Sequence, residues 1–245
     1  YRTLHLNQWV HSQDKFFRTG QWEANDAQPV PGGERPCYCG LDLSSNQDTT
    51  AFTAVWPGLD EDGEHDGTFD VHSMVFIPED IAVKKEKQDR VPYREWSEQG
   101  FVILTEGDIT DYDRVRDYVL DFCDEYSVNG VAVDRWNANH IITQLTTAGI
   151  DCKPYGQGYA SQSSPSKLLQ QLVLSRRLRH GGNPCLTWQA SNVTAKMDEA
   201  ENIKFVKPSR NSPQRIDAVV ALVMALGLAS ADEIGGSDDL NLMVI

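Results

Sequence analysis

No stretch of this 245-residue chain reaches the roughly 18 consecutive apolar residues that cross a bilayer, and the N-terminus lacks a signal-peptide pattern. Basic side chains are also in short supply. Against 36 Asp and Glu stand only 22 Lys and Arg, a net charge of −14 that argues against wholesale nucleic-acid binding. Cysteine is sparse and odd in number, five in all, at positions 37, 39, 123, 152 and 185. Cys37-Tyr38-Cys39 has no second Cys or His pair at zinc spacing, and scattered thiols in apolar runs point to a reducing, cytoplasmic setting. No Gly-x-x-x-x-Gly-Lys-Ser/Thr phosphate loop occurs, so the chain is not expected to hydrolyse ATP. Its first residue is Tyr rather than Met, as expected of a fragment of something longer. There is no internal repeat.

What is present is enough apolar residue, 40%, for one large domain or two small ones. The charge is unevenly distributed. Residues 1–151 hold 12 basic and 28 acidic groups, residues 152–216 hold 10 and 3, and residues 217–245 hold none and 5. One positive stretch inside an acidic chain suits local contact with a polyanion, although a solvated basic face would look the same.

Residues 1–35 are polar with isolated aromatics and end in Pro29-Val-Pro-Gly-Gly33, the pattern of a connecting arm. Strand-like runs follow at 36–44, 49–56 and 68–77, the first two joined by Ser45-Asn46-Gln47-Asp48 and the last two by an acidic loop over 58–67. Helical spacing then alternates with short strands. Helices are expected over 78–99 in two pieces, 111–127, 137–148, 165–180, 186–200 and 213–230, and strands over 101–105, 130–134, 150–155 and 203–206. Ser164-Pro165 and Ser212-Pro213 read as helix starts, and Gly181-Gly182 as a helix end. A meander followed by alternating helices and strands predicts an α/β fold, a mixed sheet flanked by helices in the RNase H-like layout. The tail from 231 is acidic.

Three carboxylates sit in apolar frames. Asp42 ends the run Cys39-Gly-Leu-Asp42, and Asp134 ends Val131-Ala-Val-Asp134. Two strands of one sheet ending in Asp can bring both carboxylates to a common edge, where α/β sites lie. Each alone also fits an ordinary turn-starting or N-capping Asp. Asp217 has Val220, Ala221, Met224 and Leu228 at +3, +4, +7 and +11, so it lies on the buried stripe of its helix. With Ser212 as N-cap it falls in the second turn, beyond the free amides, and Arg215 lies on the wrong face to neutralise it. Three converging hard oxygen ligands suit Mg²⁺ or Mn²⁺ rather than zinc, and two such ions can clamp a phosphodiester. Lys204, Lys207, Arg210 and Arg215 precede the third carboxylate and are candidate phosphate contacts. His140 and His180 are not needed by such a site.

The segments GLDLSSNQDTTAF, VAVDRWNA, PSKLLQQLVLSRRLRHGGNPCLTWQASN and ENIKFVKPSRNSPQRIDAVVALVMAL, in that order between Pro36 and Ala229, resemble the C-terminal nuclease domain of tailed-bacteriophage large terminases. The resemblance implies an RNase H-like endonuclease that cuts concatemeric double-stranded DNA with divalent metal in the host-cell cytoplasm. It also implies an acidic triad of Asp42, Asp134 and Asp217, with Asp48 as an auxiliary ligand. An N-terminal ATPase motor, a terminase small subunit and a portal are the partners it implies. On that basis residues 1–35 are the arm from the motor, 36–230 the nuclease domain and 231–245 a tail. Two other readings remain at this level. One is a DNA-clamping or portal-docking module with structural carboxylates. The other is an actin-like phosphotransferase, against which Leu43-Ser44-Ser45 lacks the glycine such loops want.

Overall fold

A computed structural model of the chain describes residues 15–18, 20–32, 35–43, 49–134, 139–209, 212 and 214–233. Asp48, Arg210, Pro213 and the acidic tail beyond Glu233 lie outside the described residues. The first three β-rich runs form an antiparallel meander of β1 (Cys37–Asp42), β2 (Thr50–Leu59) and β3 (His65–Pro78). Three parallel pairings then extend it. β4 (Val102–Thr105) joins β3, β5 (Val128–Asp134) joins β1, and β6 (Cys152–Tyr155) joins β5. The order is β4-β3-β2-β1-β5-β6, with β7 (Leu178–Arg179) pairing to β3 at Phe69 and Asp70. The path β3-β2-β1-β5-β6 is the RNase H-like arrangement expected from the sequence.

Strand alternation sorts side chains to two faces. Cys37, Cys39, Leu41, Phe52, Val131 and Val133 pack under α3 (Tyr112–Glu125) and α4 (Asn139–Thr147). Tyr38, Ala51, Val55 and Ala132 pack on the opposite side, against α7 (Asp217–Glu233) and its cover α5 (Tyr159–Ser175) and α6 (Pro184–Ala190). α7 is apolar on nearly every face because it lies between the sheet and α5 and α6. Helices α1 (Glu79–Asp89) and α2 (Tyr93–Glu98) connect β3 to β4. A separate hairpin, β8 (Thr194–Met197) and β9 (Ile203–Val206), leads toward α7.

Four helix boundaries expected from the sequence are corrected. α5 starts at Tyr159 rather than 165, so Pro165 lies inside it. Proline has no amide to offer Ser161 O four residues back, and the Tyr155 hydroxyl donates to that carbonyl instead at 2.7 Å. α5 stops at Ser175, capped by Arg176 with φ of 56°, well before Gly181. The helix expected over 186–200 is only α6, started by Asn183 and Pro184, and β8 takes its second half. The last helix begins at Asp217, not at 213.

Ahead of the sheet, Phe17 and Trp22 are buried and reach the core beside Phe205, and a 3₁₀ turn spans Glu23–Asn25. The arm is held further on by Asp70, which is fully buried and accepts from Arg179, from Arg35 and from the Val30 amide. The five cysteines are free. Among the described residues no helix is long and apolar enough to cross a membrane.

Candidate active site

β1 and β5 are adjacent and parallel, with Leu41 opposite Val133. One residue further on each strand stand Asp42 and Asp134, level with each other on strands about 4.8 Å apart. Leu41 and Val133 point to the α3 side, so alternation turns both carboxylates to the α7 side. Both are half-buried. β1 and β5 end there, at the carboxyl edge of the sheet. Asp217, first residue of α7, starts its helix on the same face.

The location of Asp217 differs from the sequence expectation in a way that matters. It occupies the first turn rather than the second, so the positive end of the helix dipole favours its charge. It is 8% exposed, accepts from the Thr49 hydroxyl, and has Lys207 Nζ 3.8 Å from Oδ1. Arg215 is engaged with a different acid: its Nε faces Asp89 at 3.4 Å and the residue is buried. That burial leaves Arg215 little surface to offer a phosphate. Among the described residues no three His, Cys, Asp or Glu side chains are already grouped tightly enough to hold one ion. Asp42, Asp134 and Asp217 nevertheless offer carboxylates, hard oxygen ligands that match Mg²⁺ or Mn²⁺. Cys185 senses the site without being able to join it. Burial, reinforced by the charge of Asp217, pushes its thiol up to about 12, so it stays protonated.

The basic residues divide by role. Lys204 lies 5.2 Å above the Tyr159 ring and stands directly across the β8–β9 hairpin from Lys196. Like charges opposite each other destabilise a hairpin unless an anion joins them. Arg179, by contrast, is committed to Asp70. Asp48 and Arg210 lie outside the described residues. His180 uses both ring nitrogens structurally: Nε2 donates to Trp22 O at 3.0 Å and Nδ1 accepts from the Gly182 amide at 3.2 Å.

Sequence reasoning missed Thr49, Lys196, Gln189 and Asn192. Gln189 Oε1 accepts from the Ala218 amide at 2.7 Å, and Asn192 Nδ2 donates to Arg215 O at 3.1 Å. Only the polar Gln-x-x-Asn spacing across the end of α6 hinted at these two, and that pattern has no fixed meaning.

Comparison with known proteins supplies a family and relatives for the chain. The family model described as "Terminase large subunit, endonuclease domain" matches residues 1–233. The large terminase subunit of Enterobacteria phage HK97 is 31% identical over 244 residues, covering 98% of this chain and 46% of that protein. Protein YmfN of Escherichia coli strain K12 is 26% identical over 237 residues, 94% of this chain and 51% of that protein. The chain thus spans about half the length of the curated relatives it matches. The crystal structure of the HK97 large terminase superposes with a TM-score of 0.78 at 29% identity, covering 88% of this chain and 43% of that one.

Proposed function

Since the chain belongs to the terminase large subunit endonuclease family, we propose that it cuts concatemeric double-stranded DNA by divalent-metal-dependent hydrolysis, using two ions. The observation that carries this reading is the level pair Asp42 and Asp134 on adjacent parallel strands, with Asp217 beginning a helix on the same face. These three would hold Mg²⁺ or Mn²⁺, with Asp48 as an auxiliary ligand. When bound, such ions polarise the phosphodiester and stabilise the leaving oxygen. The chain's own residues do the rest. Thr49 and the first turn of α7 orient the Asp217 carboxylate. Lys204, Lys207 and Arg210, joined by Lys196, meet the phosphate backbone beside the edge. Arg215 holds the approach to α7 through Asp89.

The same reading makes residues 1–35 the arm from an ATPase domain, 36–230 the nuclease domain and 231–245 an acidic tail. The small subunit, the portal and a host-cytoplasmic setting follow from it as expectations. A second reading draws on Lys207. An ammonium 3.8 Å from Asp217 resembles a built-in counter-ion, as expected of a DNA-clamping or portal-docking module without catalysis.

Plasmid nicking separates the two. The wild type is expected to nick or linearise plasmid with Mn²⁺ or Mg²⁺, and a folded Asp42→Ala protein to lose this. Undiminished cleavage by folded Asp42→Ala would sink the assignment, and an inactive wild type would favour the clamp.

A further inference from the structure

The start of α7 is held by a side chain from another helix. Ile216 O accepts from the Val219 and Val220 amides, both at 2.9 Å, which puts Ile216 at the capping position with a side chain that cannot accept a hydrogen bond. The orphan amide of Ala218 is taken by Gln189 Oε1 at 2.7 Å, from a side chain on α6 with 0% exposure. The support extends outward. Asn183 starts α6 by accepting from the Leu186 amide at 3.1 Å, and its Nδ2 donates to Ser73 O of β3 at 2.9 Å. Asn192, just past α6, donates to Arg215 O, so the residues on both sides of Asp217 are gripped from the α6 region.

We propose that Gln189 is a positioning residue for Asp217: by capping α7 from a neighbouring helix, it sets the direction in which that carboxylate faces the β1–β5 edge. The inference rests on the nuclease reading of the site. A side chain with only a packing role would affect stability alone. A positioning residue alters the ion affinity of the carboxylate it aims, because groups supporting a metal ligand typically carry about tenfold or more in affinity.

The test replaces Gln189 by methionine, which has similar volume but no comparable acceptor. Mn²⁺ binding to Gln189→Met, followed by calorimetry, is expected to weaken by about tenfold. The Mn²⁺ concentration for half-maximal plasmid nicking should move by the same factor, with the rate at saturating Mn²⁺ kept. Leu145→Ala, on the opposite face of the sheet, serves as the stability control and should lower the melting temperature without moving Mn²⁺ affinity. Wild-type Mn²⁺ affinity in Gln189→Met overturns the proposal, as does an equal loss in Leu145→Ala. Asp217→Asn keeps the two levels apart. If it loses Mn²⁺ while Gln189→Met does not, only the positioning role falls; if it binds Mn²⁺ normally, the site assignment falls. Should Gln189→Met not fold, amide exchange in the wild type decides. Ala218 is expected to be protected like the interior of α7, and exchange at the rate of a free first-turn amide contradicts the cap.

Discussion

Replacing Gly40 by alanine tests how closely the helix bearing Asp217 must approach the strand bearing Asp42. A methyl group on Gly40 would lie 2.0 Å from Ala221 O, 2.9 Å from Ala221 C and 3.1 Å from Ala225 N. All three are backbone atoms of α7, so no side-chain rotation relieves the clash. Ordinary contact begins at 3.4 Å, a shortfall of 1.4 Å at the carbonyl that only retreat of the helix from β1 can supply. Overpacking of this kind costs about 1–3 kcal/mol, and at about 2–4 °C per kcal/mol the melting temperature should fall by about 2–12 °C. On the proposed function the functional cost should be larger, because α7 carries one carboxylate of the candidate site and β1 another. A shift of about 1 Å in a reacting constellation costs on the order of 100-fold in rate. Thermal unfolding and Mn²⁺-dependent plasmid nicking on the same preparation give both quantities. Wild-type cleavage in a Gly40→Ala protein of wild-type stability would refute the claim that this contact sets the carboxylate spacing.

Asp70→Ala removes the buried acceptor shared by Arg35, Arg179 and the Val30 amide. The cost expected in urea unfolding is about 2–3 kcal/mol, below that of a fully buried pair because the side chains of Arg35 and Arg179 are 19% and 31% exposed. Burial holds His72 and His180 below the ordinary histidine value of 6.5. The unfolded chain therefore takes up protons that the folded chain does not. Stability should be intact above 6.5 and fall as pH drops below it, by up to about 1.4 kcal/mol per pH unit for each histidine until its folded value is reached. A flat unfolding profile between about pH 7 and pH 5.5 would contradict this.

The frame of the site was legible because Asp42 and Asp134 each end an apolar strand, and strand alternation does not depend on distant contacts. Parallel pairing of β1 with β5 then puts them side by side. Asp217 was legible as a buried residue, from the apolar stripe it heads. Its place in the helix was not. Ser212-Pro213 is a good local start signal, yet residues 214–216 are non-helical while Arg215 reaches Asp89 and Asn192 holds the Arg215 carbonyl. Those partners are 126 and 23 residues away, beyond any local pattern. Pro165 misled for a different reason: the hydroxyl that makes it tolerable inside α5 comes from Tyr155, near in sequence but on another element, β6. Arg215 shows the limit of charge counting. It belongs to the positive stretch in sequence but is spent on a buried carboxylate in the fold.

The central claim is that the acids at the carboxyl edge of β1 and β5 hold divalent metal together with Asp217. Anomalous scattering from crystals soaked in Mn²⁺ measures this most directly. Manganese is expected between Asp42, Asp134 and Asp217, with Lys207 drawn away from Asp217. A manganese-free edge in a well-ordered soaked crystal, with Lys207 still beside Asp217, would contradict it.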